Sequence, residues 1–302
     1  HRRDPANLSV TYDYIVVLGW AHRAADAIAI YERLPPGRRP DFVQQAVARD
    51  YRDLGDFQRA LAIYRAGKHE HPTEAAFAAG EILTLADAGR AAEALVEGEA
   101  LTRHDPEDLE LLSATTYAAL AAGRGAQTLA FARRVLALDL GNRDARRAEI
   151  LALARLGALD EAASEAARFP GLLDAAELRR LNGDAAAALV RQAGIRSQTD
   201  EDRWLTADRA IAKLDAQIAT LSGEGVPAHP DLLRARFDRV LALDNRDRPD
   251  DVIAAYEGFR TEGITVPAYV LKVIGDAYMR RRQPEKARAV YEAARADSPG
   301  DF

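Results

Sequence analysis

The chain has 302 residues, of which 48% are hydrophobic and 29% are charged, and its net charge is −6. This balance is typical of a globular protein with a core, and the mild acidity argues against nucleic-acid binding, which needs clustered Lys and Arg. The absence of cysteine excludes disulfides, thiolate metal sites and thiol catalysis.

The N-terminal part contains the most apolar run of the chain, YIVVLGWA at Tyr14–Ala21. It is far shorter than the ~20 residues that span a bilayer, so no transmembrane helix is predicted. No signal peptide is visible, and the chain begins at His1 without methionine. We therefore expect an excised piece of a longer, processed protein.

A repeat with a constant period follows. Four glycines each end one helical pattern and precede another: Gly55, Gly89, Gly123 and Gly157. The differences 89−55, 123−89 and 157−123 are all 34. Pro72 and Pro106 are also 34 apart, each after the second helix of its unit. A period of 34 predicts helix–turn–helix units that stack on one another.

Residue sizes within the units agree with this prediction. Glycine allows the tight turn between two helices. Small residues such as Ala60, Ala94 and Ala287 allow the helices to approach, and Tyr64 and Tyr291 are expected to fill the gap to the next unit. No unit buries its apolar face alone, so neighbouring units must pack together.

These positions resemble the tetratricopeptide repeat, over most of Asp41–Leu159 and Asp250–Phe302. The last unit shows the signature best: GDAY at Gly275–Tyr278, then Ala287, Tyr291, Ala294 and Pro299. The unit Tyr51–Pro72 matches almost as well, with Ala48 and Gly67 exchanging the usual Gly and Ala. The resemblance implies an all-α, superhelical solenoid of helix–turn–helix repeats.

The middle of the chain departs from the period. Five segments are predicted there: a shortened helical pair at Leu173–Gly194, a polar linker at Ser197–Asp202, a longer amphipathic helix at Arg203–Leu221, a turn at Ser222–Pro230, and another helix up to Pro249. We predict one continuous solenoid in three regions, namely repeats in 1–196, a degenerate long-helix pair in 197–249 and a repeat region in 250–302. No β-strand pattern is convincing.

No catalytic motif is present, so no enzyme and no cofactor is predicted. Three histidines occupy the same zone of two successive repeats: His69, His71 and His104. They could bind zinc together. The alternative, which we favour, is that they complement the negative ends of helix dipoles. No metal site is therefore predicted.

Binding is expected on the groove that first helices line in such solenoids. The candidate residues are Gln45, Arg49, Arg52, Asp53, Asp87, Glu110, Tyr117 and Asp276. Arg49 and Arg52 could hold a carboxylate, and the acids could meet amines, whereas the simpler alternative is a solvated helix face. Tyr12, Tyr14 and Trp20 could stack on a sugar or peptide, although the explanation that we favour is that they cap the end of the stack.

Three segments carry a narrower resemblance: Tyr12–Pro35, Arg203–Ala219 and Arg234–Ala294. The second and third carry the most weight, through the distinctive run TADRAIA in the second and the runs RFDRVLAL and AAYEGF in the third. Together they resemble the periplasmic region of poly-β-1,6-N-acetyl-D-glucosamine export porins of Gram-negative biofilm formers. The resemblance implies a repeat region attached to the outer membrane through a β-barrel of the same protein that is not in this chain. Its implied partners are the periplasmic polysaccharide deacetylase and the partly deacetylated, cationic polymer.

Two functions are therefore open. The first is a non-catalytic periplasmic scaffold for exopolysaccharide export that recruits the deacetylase, guides the polymer to the pore, or does both. The alternative is a generic docking module that binds partner peptides in its concave groove. The resemblance favours the first.

Overall fold

The computed structural model describes residues 8–35, 37, 39–195, 199–223 and 230–297, and these ranges contain sixteen α-helices and no strand. Contacts divide the chain into two compact units, His1–Ala158 (unit 1) and Leu159–Phe302 (unit 2). The predicted all-α repeat fold is confirmed. None of the described helices is both long and apolar enough to cross a bilayer.

Unit 1 consists of paired helices joined by short turns. Its described helices are α1 (Leu8–Trp20), α2 (Ala24–Glu32), α3 (Asp41–Asp53), α4 (Phe57–Glu70), α5 (Ala75–Asp87), α6 (Ala91–His104), α7 (Leu109–Ala121), α8 (Gly125–Leu138) and α9 (Arg143–Arg155). Each odd-numbered helix from α3 to α7 packs against the even-numbered helix that follows it and against neighbours in the next pair. The predicted repeat therefore has its expected helix order.

The four periodic glycines adopt the conformation that the turns require. Their φ angles are +80°, +78°, +72° and +83° at Gly55, Gly89, Gly123 and Gly157. After α3, the N–H of Asp56 donates to the carbonyl of Tyr51 at 2.9 Å, which closes the helix end. Because a side chain is strained at positive φ, glycine is the residue that suits these turns.

Packing between successive pairs follows the predicted division into small and large residues. Ala60 and Ala94 are fully buried. The ring of Tyr64 on α4 lies against Gly80 on α5, so closely that a Cβ atom on Gly80 would be 2.1 Å from Tyr64 Cε1. The prediction that Tyr64 fills the space to the next unit is thus confirmed, and the absence of a side chain at Gly80 is what makes room.

Unit 2 has a less regular set of helices. Those described are α10 (Leu159–Arg168), α11 (Ala175–Ala193), α12 (Asp200–Gly223), α13 (Pro230–Asn245), α14 (Pro249–Thr261), α15 (Ala268–Arg280) and α16 (Pro284–Asp297). Its core extends from α11 to α16 and includes the fully buried side chains of Phe259 and Tyr278. Tyr291 differs from the prediction, because it packs on Gly275 within its own helix pair.

The shortened helical pair predicted at Leu173–Gly194 is wrong. The structure has one helix there, α11, of 19 residues, and Gly183 lies inside it. Asp174 and Glu177 form a reciprocal capping box at its start, and Ala and Leu dominate its length. One internal glycine costs only about 1 kcal/mol, so it does not end a helix with such strong flanking residues.

The long middle helix is confirmed as α12, which begins three residues before Arg203. Thr199 caps it, because its Oγ1 accepts a hydrogen bond from the N–H of Asp202 at 3.2 Å. Helix α12 packs against both α11 and α13. The predicted boundary after residue 196, most of the turn at 222–230 and Pro299 lie outside the described residues. The three-region division of the chain stays a prediction.

Candidate functional site

A cavity of about 1030 Å³ lies in unit 1. Almost all of its lining comes from the first helices of successive pairs, α1, α3, α5, α7 and α9, as the groove prediction required. The exceptions are Tyr64 of α4 and Asn142, which caps the start of α9. The floor on α5 is apolar, since Ala76, Ala79, Gly80 and Leu83 line it.

The sequence period determines which residues line this cavity. Three sets of positions spaced by 34 residues all contribute: Phe42, Ala76, Glu110 and Asp144; Gln45, Ala79, Ser113 and Arg147; and Ala46, Gly80, Ala114 and Ala148. Equivalent positions of stacked helices face the same side. The period alone could therefore have identified Phe42, Asp144 and Arg147, which the sequence analysis missed.

Five of the eight predicted groove residues line the cavity: Gln45, Arg49, Arg52, Glu110 and Tyr117. The other three do not line it, although two of them lie close to it. Tyr117 Oη donates to Asp87 Oδ1 at 2.5 Å, and Arg52 Nε lies 3.4 Å from Asp87 Oδ2. Asp53 is exposed, with Oδ1 at 3.8 Å from the same Arg52 Nε.

Asp276, the remaining candidate, belongs to unit 2. It lies on α15, and its Oδ1 accepts a hydrogen bond from Tyr291 Oη at 2.6 Å. The structure thus gathers the candidates of unit 1 around one cavity and leaves Asp276 outside that set. The binding roles of all eight residues stay predictions.

The aromatic candidates near the N-terminus have different environments. Trp20 lines the cavity and is 67% exposed. Tyr12 and Tyr14 are partly buried and pack against the core formed by α1 to α5. Phe42 and Tyr117 line the same cavity as Trp20 and are also exposed. The cavity therefore presents three accessible aromatic rings, of which one was among the predicted stacking residues.

Burial and neighbouring charges raise the pKa values of several groups at the cavity. The hydrogen bond to Asp87, together with partial burial, raises the pKa of Tyr117. Burial, reinforced by Asp108 and Glu74, raises the pKa of Glu110 above its ordinary value. Burial also raises the pKa of Tyr64 to about 12. The two tyrosines therefore stay protonated at neutral pH.

Asp50 is a polar residue that the sequence analysis did not single out. It is 1% exposed, and its Oδ2 has no hydrogen-bond partner among the described residues. A Cβ on Gly19 of α1 would lie 2.7 Å from Asp50 Oδ1. Burial raises its pKa from 3.8 to about 6 despite the opposing charge of Arg49. Its spacing of three residues from Val47 and one from Tyr51 places it on the apolar face of α3, so the helical period could have indicated its burial.

The described residues include no group of three His, Cys, Asp or Glu side chains that could hold a metal ion. His71 Nε2 lies 3.2 Å from Asp41 Oδ1, and its imidazole stacks on Phe77 with ring centroids 6.1 Å apart. His69 and His104 lie in the last turns of α4 and α6. The zinc alternative thus has no geometric support in this part of the chain.

Several solved structures resemble the chain. A tetratricopeptide repeat protein from Parabacteroides merdae is 13% identical, with a TM-score of 0.42, 85% of this chain covered and 93% of the other. A MamA AMB-1 structure is 16% identical, with a TM-score of 0.42, 52% of this chain covered and 94% of the other. No family model matches the sequence.

Curated relatives carry the narrower resemblance. The poly-β-1,6-N-acetyl-D-glucosamine export proteins of Escherichia coli K12 and O157:H7 are each 28% identical to this chain over 278 residues. That match covers 92% of the chain but 33% of each relative, so the chain spans about one third of their length. The resemblance proposed from the sequence is confirmed: the chain is a tetratricopeptide-type repeat region homologous to part of the poly-β-1,6-N-acetyl-D-glucosamine export proteins.

Proposed function

We propose that the chain is a non-catalytic periplasmic scaffold of an exopolysaccharide export porin. It recruits the polysaccharide deacetylase, guides partly deacetylated poly-β-1,6-N-acetyl-D-glucosamine to the outer-membrane pore, or does both. The observation that carries this proposal is the similarity to export proteins along 92% of the chain. Stacked helix pairs support it physically, since repeat proteins offer extended binding surfaces.

The cavity of unit 1 contributes further support for a binding role. Three exposed aromatic side chains line it, and exposed apolar patches of this kind mark interaction sites. Its acidic residues, Asp13, Glu110 and Asp144, could meet the free amines of a deacetylated polymer. The chain's net charge of −6 favours the same partner through long-range attraction.

Export by living cells tests the scaffold function. In an Escherichia coli strain lacking its own export protein, we would express a chimera in which this chain replaces the matching third. Secreted polymer, measured with a lectin specific for N-acetylglucosamine, should return to a substantial fraction of the wild-type amount. A chimera that reaches the outer membrane and secretes nothing would contradict the proposal.

Binding measurements test the polymer and the deacetylase separately as partners. Deacetylated glucosamine oligomers should bind the chain, fully acetylated oligomers should bind more weakly, and added salt should reduce the difference. Purified deacetylase should bind in a separate titration. If neither oligomers nor deacetylase bind, the scaffold has no partner and the proposal fails.

A generic peptide-docking module is the second candidate. The apolar floor on α5 favours it, because such a surface suits apolar side chains better than sugar hydroxyls. Binding of unrelated peptides by a chain that leaves secretion of the polymer unchanged would favour this function over the first.

A further inference from the structure

Three acidic side chains are buried among the described residues of unit 1, and they differ in how their charge is compensated. Glu81 and Glu149 are each held by two cationic side chains of neighbouring turns or helices. Asp50 on α3 is as deeply buried, yet its Oδ2 has no hydrogen-bond partner among the described residues. Because a buried carboxylate is costly without a partner, Asp50 is the one of the three whose ionisation opposes the packing around it.

The Asp50 carboxylate lies where α3 meets α1. A Cβ atom on Gly19 of α1 would be 2.7 Å from Asp50 Oδ1 and 3.1 Å from Oδ2. The carboxylate therefore occupies the space that the missing side chain of Gly19 leaves, and α1 covers it against water. Movement of α1 away from α3 would return the carboxylate to solvent.

Helix α1 is held by few side chains. It packs on α2 and α3, and of its 13 residues Thr11, Ile15 and Leu18 are the buried ones. Segments with few buried apolar contacts are those that open locally while the rest of a domain stays folded. The same helix also forms one wall of the cavity of unit 1, to which it contributes Asp13, Val16, Val17 and Trp20.

The groups closest in effect to Asp50 do not compensate its charge. Burial raises its pKa to about 6, although Arg49 on the same helix favours the ionised form, and Asp53 adds to the rise. Tyr64 of α4 carries no charge at neutral pH, because burial raises its pKa to about 12. The ionised form of Asp50 is therefore disfavoured as long as α1 stays in place.

Charged groups of the other helices packed on α3 have their own surroundings. Glu32 of α2 and Asp87 of α5 each accept a hydrogen bond from a tyrosine, and Asp13 of α1 lines the cavity. His22 follows α1, and its N–H donates to the carbonyl of Gly19 at 3.0 Å. Histidine changes its charge near neutral pH, so an experiment on Asp50 must also separate the effect of His22.

We propose that α1 is a proton-controlled wall of the cavity of unit 1. With Asp50 protonated, α1 packs on α3 and the wall is closed; with Asp50 ionised, α1 and α2 open transiently from α3 and water reaches the carboxylate. Opening moves Val17 and Trp20 away from the rest of the lining, so the cavity binds its ligands more weakly as the pH rises. The inference goes beyond the proposed function, because it holds for whichever partner the cavity binds.

Hydrogen exchange of the full chain at several pH values tests the opening without any ligand. After correction for the intrinsic effect of pH on amide exchange, protection of α1 and α2 should fall roughly 25-fold between pH 4.5 and 7.5. This ratio follows from a pKa of about 6 in the closed state and 3.8 in the opened state. Protection of α7 and α8 should stay nearly constant. No fall in α1, or an equal fall in α7 and α8, would overturn the proposal.

Three substitutions assign the effect to Asp50. Asp50→Asn cannot ionise, so protection of α1 and α2 should no longer depend on pH. Asp53→Asn changes an exposed acid of the same helix, and His22→Asn changes the nearby histidine to a residue that also tolerates its positive φ of 57°. Both controls should keep the roughly 25-fold fall. A fall that persists in Asp50→Asn, or disappears in His22→Asn, would overturn the proposal.

Gly19→Ala tests the contact itself and guards against an Asp50 variant that is merely misfolded. Alanine favours a helix, but its Cβ would press on the Asp50 carboxylate, so protection of α1 should fall about tenfold even at pH 4.5. Asp50→Ala in the same chain should restore it, and α7 and α8 should stay protected throughout. Unchanged protection of α1 in Gly19→Ala would overturn the proposal, while secretion by the chimera tests the proposed function independently.

Discussion

Charged side chains on the helix surfaces of unit 2 differ from those that line the cavity of unit 1. In unit 2, arginines on the helix surfaces are paired across neighbouring helices: Arg209 with Asp160, Arg236 with Glu262, Arg239 with Asp215, Arg246 with Asp208, and Arg281 with Asp250. In unit 1, the cavity retains Arg49 with no carboxylate of a described residue in reach, while Glu110 and Asp144 face the same space. These five arginines of unit 2 are neutralised by nearby carboxylates, whereas Arg49 in the cavity of unit 1 is not.

Pairing of these charges affects their availability to a ligand more than it affects the stability of the fold. Exposed ion pairs contribute only about 0–1 kcal/mol each, so the pairs of unit 2 do not explain its folding. They do neutralise groups that could otherwise attract a ligand. Unit 1 has ion pairs between helices as well, for example those of Arg65 and Lys68 with Glu81, so the difference lies in the cavity lining and not in the unit as a whole.

Close packing at a glycine gives the largest expected effect. Gly80→Ala would place a Cβ 2.1 Å from Tyr64 Cε1, and the buried tyrosine ring has little room to move. We expect unit 1 to lose about 3 kcal/mol of stability. Gly258→Ala in α14 is the control, because its Cβ would meet nothing within 4 Å. Hydrogen exchange of α4 and α5 measures the loss, and unchanged protection there would contradict the packing argument.

The buried carboxylate of unit 1 comes next. Because burial raises the pKa of Asp50 to about 6, its charged form destabilises the folded state. This cost develops as the pH rises from about 4 to 6 and is complete above 6. Asp50→Asn should stabilise unit 1 by about 2 kcal/mol at pH 7.5, less than the full shift because the amide is also buried.

The pH dependence supplies the decisive check on Asp50. The gain from Asp50→Asn should shrink as the pH falls from 7.5 to 4, since protonated Asp50 no longer carries a buried charge. Urea denaturation at several pH values, followed by hydrogen exchange of α3, measures it. Asp53→Asn, which changes an exposed neighbour, should show no such trend. A pH-independent gain would exclude the charge explanation.

Removing one buried acid from unit 1 and one exposed acid from unit 2 compares the two units directly. Burial alone would raise the pKa of Glu81, but hydrogen bonds from Arg65 and Lys68 hold it below its ordinary value. The ionised Glu81 therefore stabilises the folded state at neutral pH, and this stabilisation declines below about pH 4.5. Glu81→Gln should cost about 1.5 kcal/mol at pH 7. Glu262→Gln, which removes the exposed partner of Arg236, should cost about 0.5 kcal/mol. Equal costs in parallel urea titrations would contradict the distinction.

Paired tyrosines give the smallest effects. Tyr117→Phe removes the hydrogen bond to Asp87, and Tyr291→Phe removes the one to Asp276. Each change should cost about 0.5–1 kcal/mol, because one hydrogen bond to a partly exposed carboxylate is lost. Thermal denaturation of both variants against the wild type measures the costs. A loss several times larger in either variant would mean that the hydroxyl holds more than its single carboxylate partner.

Much of the fold could be predicted from the period. Glycine at fixed intervals identified the turns at Gly55 and Gly89, since glycine adopts positive φ without strain. The single helix α11 could not be recognised from sequence, because Gly183 looks the same whether it ends a helix or interrupts one. The packing of neighbouring helices decides whether the helix continues through this glycine. Here it includes Gln217 of α12, whose Nε2 would lie 3.3 Å from a Cβ at Gly183.

The candidate site was predictable in part for the same reason. Polar positions of first helices were enough to select Gln45 and Arg49. They were not enough to recognise that Asp87 is engaged by Tyr117, since this pair is 30 residues apart and depends on the spacing of α5 and α7. Burial of Asp50 also depends on another helix, through the close approach of Gly19. Sequence periodicity identifies a face, and tertiary packing decides which of its groups stay available.

The 34-residue spacing of the cavity lining has a consequence for how such a site can change. Duplicating or removing one whole helix pair shifts every lining position by one complete period, so the remaining side chains keep their direction. The length of the binding surface can therefore vary in steps of one repeat without redesign of its contacts. A chain of this kind can match partners of different lengths by copying a segment, while an insertion of any other size would rotate the lining residues away from the ligand.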